Sequence, residues 1–374
     1  MKNKTEAYTS LSPGKLSWRK FRRNPLAMAG LIFIFVLILI SMLGTFIRPD
    51  GTLNANDQHL SLSRNKPGYA LLTVRVKKDH FEPQTFWQTW TKGGAPLSYN
   101  EYPVASVSGD LNQMHFEPLF EGDREVLSKD FRPGELEFQN GGKILEDFLH
   151  DKKYVLGTDK YGRDLLSRLM AGTVISLSVG AIAVLISLLV GLTLGLIAGY
   201  YRGITDKIIM WFTNVIWAIP TLILVMAITF AFGTGFWKVF LAVGLTMWVE
   251  VARIARGQVL SVREKEYVEA ARALGFSEFR IIFKHILPNI LSPIIVISAA
   301  NFASAILIEA GLSFLGLGAQ IPTPSWGNMI REHYAYITTD LAYLAIVPGV
   351  MIMLLVLSFM LVGNGLRDAL DVRE

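Results

Sequence analysis

Residues 174–199 read VISLSVGAIAVLISLLVGLTLGLIAG, a run without one charged side chain. As an α-helix, such a run is long enough to cross the roughly 30 Å hydrocarbon core of a bilayer. The composition agrees, because 51% of the 374 residues are hydrophobic and only 18% are charged. The sequence therefore predicts an all-α polytopic membrane protein and does not resemble an ordinary soluble domain.

Five further stretches are predicted to cross the membrane, namely 26–47, 208–232, 237–255, 288–312 and 342–364. The stretch 237–255 is the weakest, because its charge-free part covers only 239–249. If all six cross, the short segments on one side hold 18 Lys and Arg residues, and the short loops opposite hold only Lys238 and Arg331. Basic residues collect on the cytoplasmic side. We therefore expect six transmembrane helices, with both termini in the cytoplasm.

The first predicted span, 26–47, follows a basic segment, 1–25, as the apolar core of a signal peptide would. Signal cores are about 7–15 residues long and end at a small-x-small cleavage site. This span is longer, and residues 41–48 offer no such site. We expect it to be a retained membrane helix.

Residues 48–155 separate the first span from the rest and have a soluble-type composition. On the predicted topology this insert of roughly 105 residues is exported, and it is large enough for a modest core. The alternation in 69–76 (YALLTVRV) is typical of a β-strand. We expect a mainly β insert, with a helix near residues 143–150.

Three glycines lie at four-residue spacing in the second span: Gly191, Gly195 and Gly199. Small residues at this spacing let another helix approach closely. The approaching helix could belong to the same chain or to a second subunit.

Residues 266–289 read EYVEAARALGFSEFRIIFKHILPN and lie within a cytoplasmic loop predicted at 256–287. Helix formers up to 274, a stop at Gly275 and an N-cap at Ser277 predict two short helices around a break. Pro288 then marks the start of the fifth span. The loop could dock on a cytoplasmic partner, or it could be an amphipathic loop that only follows the positive-inside rule.

EAARALG followed by IIFKHILPN resembles the EAA loop of ABC importer permeases, in which a coupling helix docks on the ATPase subunit. The resemblance implies an ATPase-coupling role for six residues: Glu269, Ala270, Ala271, Gly275, Leu287 and Pro288.

Four further motifs are similar to the C-type permease of dipeptide, oligopeptide and nickel ABC importers: LGTDKYGRDLLSR at 156–168, EAGLSFLGLG at 309–318, PSWG at 324–327 and GLRDALD at 365–371. The resemblance covers 156–374 and implies the core of a type I importer permease, which imports peptides across the bacterial inner membrane. The long insert departs from the common pattern, which puts the contact with a substrate-binding protein in doubt.

By the same resemblance, the partners would be a second, B-type permease, two ABC ATPase subunits, a substrate-binding protein and membrane lipids. ATP and Mg²⁺ would be held by the ATPases, so this chain would bind no cofactor. Nucleic acid is not expected as a partner.

Asp159, Arg163 and Asp164 precede the second span. We expect an ion-pair and turn network at its outer mouth, with an aspartate capping the helix; substrate binding is the alternative. Trp326, in an outer loop, is a candidate gate facing the periplasm or an interfacial aromatic anchor.

Glu309 lies near the membrane end of the fifth span, where an unpaired charge is costly. With Ser313 it is a candidate for the translocation path, or it forms a structural pair. Glu250, Arg253 and Arg256 are predicted to form a snorkelling cluster at the cytoplasmic boundary.

No catalytic or metal-binding motif is present in the sequence. Neither Gly-Lys dipeptide is followed by Ser or Thr, and no HExxH occurs. The absence of cysteine excludes disulfides and thiolate sites. We therefore expect a transport subunit and not an enzyme. The alternatives are an ion-gradient-driven transporter, a permease for nickel or another small solute, and an enzyme or sensor whose working part is the insert.

Overall fold

The computed structural model describes residues 13–233 and 235–370. The first twelve residues of the predicted cytoplasmic segment, and Asp371 of the C-terminal motif, lie outside the described residues. The chain forms two compact units. The helical unit comprises residues up to 38, 176–320 and those from 349, and the sheet unit comprises 39–175 and 321–348.

Thirteen α-helices occur in the described residues: α1 (Pro13–Arg22), α2 (Pro25–Ile47), α3 (Phe86–Lys92), α4 (Arg124–Leu127), α5 (Leu165–Tyr201), α6 (Gly203–Trp217), α7 (Thr221–Phe232), α8 (Phe236–Val262), α9 (Glu266–Ala273), α10 (Glu278–Arg280), α11 (Leu287–Phe314), α12 (Trp326–His333) and α13 (Tyr343–Leu370). Within residues 13–233 and 235–370, four helical segments are long and apolar enough to cross a membrane: α2, α5, the continuous segment 278–314 and α13. Helices suit such sequences because every backbone group inside the bilayer must be bonded within the segment.

The predicted single span 208–232 is broken in the structure. Helix α6 ends at Trp217 and α7 begins at Thr221, with a bend of 92° between them. Pro220 lies in the break, and its ring restricts the preceding residue and removes a backbone donor. One straight helix over these residues was therefore a wrong prediction, although the pair together still has the length and composition of a span.

Helix α8 is 27 residues long. It carries Lys238, Glu250, Arg253 and Arg256, and it is not among the four segments that qualify as spans. Whether the chain crosses the membrane six times thus stays a prediction.

The three spaced glycines of α5 face α8 of the same chain. A Cβ atom on Gly191 would lie 2.4 Å from the carbonyl oxygen of Trp248, and one on Gly195 would lie 2.6 Å from that of Ala252. Glycine is required because the two backbones approach so closely. This confirms the interpretation that the glycines serve packing within the chain.

The sheet unit contains a four-stranded antiparallel sheet. Its strands are β1 (Tyr69–Lys77), β2 (Tyr99–Asp110), β3 (Gln113–Pro118) and β4 (Leu149–Tyr154), in the order β3-β2-β1-β4. Its core is built from inward-facing apolar side chains: Val74, Val104, Met114, Phe116, Leu127, Phe131, Leu136 and Phe148. The strand predicted at 69–76 is therefore confirmed.

The helix predicted near 143–150 is wrong. Only a 3₁₀ turn, Leu145–Phe148, forms there, and β4 follows at once. The Asp147 carboxylate accepts the backbone N–H groups of Lys143 and Ile144. Such side-chain bonds to the backbone compete with helix formation.

Candidate functional site

Helix α9 occupies the predicted coupling loop. Its first turn carries Glu266 and Glu269, whose negative charges complement the helix dipole. The helix stops before Gly275, which has a φ of 75°. The backbone N–H of Phe276 donates to the carbonyl of Ala271 at 3.2 Å. A left-handed glycine with this return bond is a standard helix C-cap.

The inner face of α9 packs against the helical unit. Val268 and Ala271 are buried in an apolar cluster shared with α5, α8 and the start of the fifth span: Leu196, Tyr200, Ala255, Val259, Ile281, Ile282, Ile286, Ile290 and Ile294. Ala271 is only 3% exposed, and its coupling role stays a prediction. Its small side chain seats the helix on this cluster.

The outer face of α9 and the turn after it are exposed. Glu269, Ala270 and Gly275 all reach the surface. Leu274 and Phe279, on either side of the turn, are 73% and 70% exposed. Large apolar side chains with this much exposure are candidates for an interaction surface. Motif matching missed these two residues; the signal was a Leu and a Phe at positions that no core requires.

The second helix of the loop is not separate from the fifth span. Helix α10 continues through a π-helical turn, Ile281–Ile286, directly into α11. The N–H of Leu287 donates to Ile282, five residues earlier. Pro288 has no N–H to donate, and a wider turn accommodates this loss. Leu287 is partly buried against the apolar cluster and Pro288 is exposed.

A cavity of about 270 Å³ lies beside the break between α6 and α7. Helices α8 and α11 supply its remaining walls. Its lining is mostly apolar with a few polar groups: Ile216, Trp217, Ile219, Pro220, Thr221, Leu224, Thr246, Met247, Val249, Glu250, Ser304 and Ile308.

Glu250 is the charged residue of this cavity. The predicted cluster with Arg253 and Arg256 does not form, because Arg253 donates to the Asn214 side chain at 2.6 Å and Arg256 pairs with Asp206 at 2.5 Å. In residues 13–233 and 235–370 no ion pair or hydrogen bond engages the Glu250 carboxylate. The sequence did not predict this cavity or its carboxylate. Its lining residues, and the partners of Arg253 and Arg256, lie far apart in the chain.

Glu309 is buried within α11 and does not line that cavity. The Ser313 hydroxyl, one turn later, donates to its carboxylate at 2.6 Å. The geometry is that of a structural pair inside the helical unit, which was one of the two interpretations of the sequence.

Asp159, Arg163 and Asp164 meet at the start of α5, in the sheet unit. The Arg163 guanidinium is fully buried and bonds the carboxylates of Asp159 at 2.6 Å and Glu332 at 2.8 Å. Asp164 accepts the backbone N–H of Ser167 at 2.8 Å and so caps α5. Burial raises the pKa of the Asp164 carboxyl.

Trp326 is fully buried in the sheet unit. Its indole N–H donates to the carbonyl of Leu169 at 2.9 Å. A Cβ on Gly172 would lie 2.9 Å from the indole ring. A ring packed in this way does not face lipid headgroups, so the interpretation as an interfacial anchor was wrong. Its role as a gate stays a prediction.

In the part of the chain that the structure describes, two groups of acidic and imidazole side chains lie close enough to share an ion: Asp57, His59 and Glu101, and Asp159, Glu332 and His333. In each group two cationic side chains balance the two carboxylates. Lys152 and Arg75 bond Glu101, and Lys152 lies 3.5 Å from Asp57. Arg163 bonds Asp159 and Glu332, and Arg168 lies 3.8 Å from Asp159. Both are ion-pair networks, which need no metal to balance their charge.

Comparison with known proteins places the chain in a family. Residues 191–373 match the family described as binding-protein-dependent transport system inner membrane component, and residues 12–67 match the N-terminal TM domain of oligopeptide transport permease C. The intervening residues, 68–190, lie outside both matches.

The chain is 30% identical over 357 residues to a dipeptide transport system permease protein of Lactococcus lactis subsp. cremoris, covering 96% of this chain and 90% of that one. It is 43% identical over 216 residues to a glutathione transport system permease protein of Pectobacterium atrosepticum, covering 58% and 71%. Among solved structures, an inward-facing methionine ABC transporter matches with a TM-score of 0.46 and 19% identity, covering 54% of this chain and 95% of that one.

The Lactococcus alignment is too long to omit the insert, so the insert has a counterpart in at least that relative. The matched segments of the helical unit include the coupling loop and the broken span. On this basis the chain belongs to the binding-protein-dependent transport system inner membrane components, as a permease of the dipeptide and oligopeptide C type.

Proposed function

We propose that this chain is one of two permease subunits of an ATP-driven importer of short peptides, and that α9 is its contact with an ATPase subunit. The relatives named above carry dipeptide and glutathione in their names, which supports a peptide as the cargo. The predicted alternatives, an ion-gradient-driven transporter and a nickel permease, are not favoured by these names.

The observation that carries the proposal is that α9 has one buried face and one exposed face. One side is fixed to the helical unit by Val268 and Ala271, and the other presents Glu269 beside the exposed Leu274 and Phe279. A partner that grips the exposed side can therefore move the cluster beneath it as a rigid body.

The cluster beneath α9 joins α5, α8 and the segment 278–314. Movement of α9 would be transmitted directly to the helices that wall the cavity at the broken span. When two ATPases close on ATP, their docked helices would draw together and rock the two permeases about a path between them. The ATP and Mg²⁺ would sit on the ATPases, and this chain would do no chemistry.

The cavity beside Pro220 is our candidate for part of that path. Its apolar walls suit varied side chains, and Glu250 supplies a negative charge for the ammonium terminus that every free peptide carries. A charged group in a membrane-spanning region points to a substrate path when no other side chain balances it. The type I fold, the six crossings and the cytoplasmic termini are further parts of the proposal, and a B-type permease and a substrate-binding protein complete the assembly.

Co-purification in mild detergent tests the proposal. The tagged wild-type chain should bring down the second permease and ATPase subunits. Glu269→Arg and Gly275→Arg should release the ATPases and keep the second permease. The first reverses a charge on the outer face, and the second places a large side chain at the left-handed position that ends α9. Glu82→Arg, an exposed acid of the insert, is the matched control and should retain every subunit. ATPase retained by both coupling variants would refute the role of α9.

A further inference from the structure

The seven-residue helix α3 in the insert exposes three large aromatic side chains. Phe86, Trp87 and Trp90 are 58%, 65% and 39% exposed. At about 100° per residue they fall on one side of the helix, and Lys92 falls on the opposite side. Soluble domains seldom expose so many large rings on one short element, which points to a partner for this face.

Helix α3 is attached to the end of the first apolar helix. The Trp90 indole N–H donates to the backbone carbonyl of Met42 at 2.8 Å. The Phe86 ring stacks on Phe46 with their centroids 4.8 Å apart. Met42 lies five residues before Ile47, where α2 ends, so Trp90 reaches about 7.5 Å back along that helix. The aromatic face therefore lies beside α2 and not beyond its end.

A buried arginine fixes this placement. Arg48, directly after α2, donates to the carbonyls of Asp50 at 2.6 Å and Gly93 at 2.7 Å. Gly93 is the residue at which α3 stops, with a φ of 75°. Arg48 thus bonds the C-terminal end of α3, and Trp90 bonds α2. Together the two contacts fix the position of α3 along α2.

We propose that α3 is an interfacial anchor, with Phe86 and Trp87 inserted at the headgroup boundary of the leaflet in which α2 ends. The occupant is lipid because the exposed rings continue the outward apolar surface of α2, where Met42, Leu43 and Ile47 are also exposed. Tryptophan concentrates at this boundary, and amphipathic helices bury their apolar face about 5–10 Å deep, which matches the position of Trp90.

Helix α3 would thereby hold the insert at the membrane surface. Lys92, on the other side of α3, is free to face phosphate groups and water.

The test uses the absence of cysteine from the chain. W87C and K92C are made singly in the full-length chain, spin-labelled, and placed with co-purifying subunits in nanodiscs of phosphatidylethanolamine and phosphatidylglycerol. Power-saturation EPR then compares collisions with oxygen, which concentrates in lipid, and with a water-soluble nickel chelate. Both native side chains are exposed, so neither label disturbs a core.

The ratio of oxygen to nickel accessibility should be several-fold higher at position 87 than at 92. Equal ratios, with the nickel chelate reaching both labels, would place α3 in water and overturn the proposal. Exclusion of both reagents from position 87 would place a protein there and also overturn it.

Discussion

The buried ion pairs of the sheet unit and the cavity carboxylate of the helical unit differ in how their charge is balanced. In the sheet unit, Arg163 is fully buried yet bonded to two carboxylates, and Glu101 is bonded to both Arg75 and Lys152. In the helical unit, Glu250 lines a cavity with no counterion in the described part of the chain. In the proposed function, a charge that other side chains balance serves the architecture, and the unbalanced carboxylate beside the cavity binds an external ligand.

Removal of the paired charge of Arg163 should lower the free energy of unfolding more than any other change considered below. Arg163→Met removes the arginine that bonds both Asp159 and Glu332 and leaves only Arg168, 3.8 Å from Asp159, as a counterion. This should cost about 3–5 kcal/mol of folding free energy. Thermal unfolding of the purified chain, followed by size-exclusion chromatography, measures this loss. Lys129→Met is the control, because Lys129 is 58% exposed and its ion pair should contribute about 1 kcal/mol or less. Equal losses of stability in Arg163→Met and Lys129→Met would show that burial of the Arg163 ion pairs does not increase their contribution.

Removal of the unpaired charge of Glu250 should slow transport and leave the free energy of unfolding unchanged. Glu250→Gln keeps the shape of the side chain but removes its charge, so the peptide ammonium group loses a charged partner worth about 1.5–3 kcal/mol. At peptide concentrations well below saturation, the uptake rate should fall by about ten-fold or more. Glu264→Gln, an exposed residue paired with Arg202, should transport normally. Unchanged uptake by Glu250→Gln would remove Glu250 from the path.

Close helix packing in the helical unit should be the next most sensitive feature. Gly195→Ala places a methyl group 2.6 Å from the carbonyl oxygen of Ala252, and such overpacking should cost about 1–3 kcal/mol. Gly257→Ala, on α8, meets no atom within 4 Å. It should be neutral or stabilising, because alanine favours helices by about 1 kcal/mol over glycine. Thermal stability in one detergent compares the two.

The smallest effect should be on acid stability of the sheet. Burial acts to raise the pKa of Glu101, but Lys152 and Arg75 outweigh it, and the pKa lies below its usual value of 4.5. A carboxyl with a lowered pKa in the folded state stabilises above its unfolded pKa and loses that contribution as pH falls. Hydrogen exchange in β1, corrected for intrinsic rates, should therefore speed up below about pH 4.5. Glu101→Gln should flatten this dependence, and an unchanged profile would contradict the assignment.

Much of the helical unit was predictable because an apolar chain inside a membrane must satisfy its backbone hydrogen bonds internally, which favours helices. Runs without charge had to be helical, and the spaced glycines of α5 indicated close packing. Pro220 signalled a break, but the 92° angle depends on how α8 and α11 pack against it. The partners of Arg253 and Arg256 are 39 and 50 residues distant along the chain, so local charge patterns gave the wrong cluster.

The insert was less predictable, because its sheet depends on long-range pairing. Strand β4 pairs with β1 across about 80 residues, and the residues at its start and in the turn before it were predicted to form a helix. Within the coupling loop, motif resemblance located α9 but could not tell Ala270, which is exposed, from Ala271, which is buried. The direction of a side chain on a short helix is settled only by the cluster beneath it.

The most direct test of the account is peptide uptake by cells that lack this chain and carry either wild type or Glu269→Arg. We predict ATP-dependent uptake of a labelled dipeptide with wild type, and loss of that uptake with Glu269→Arg while the second permease still co-purifies. Uptake that continues when ATP is depleted and an ion gradient is maintained, or that is unaffected by Glu269→Arg, would contradict an ATP-driven importer coupled through α9.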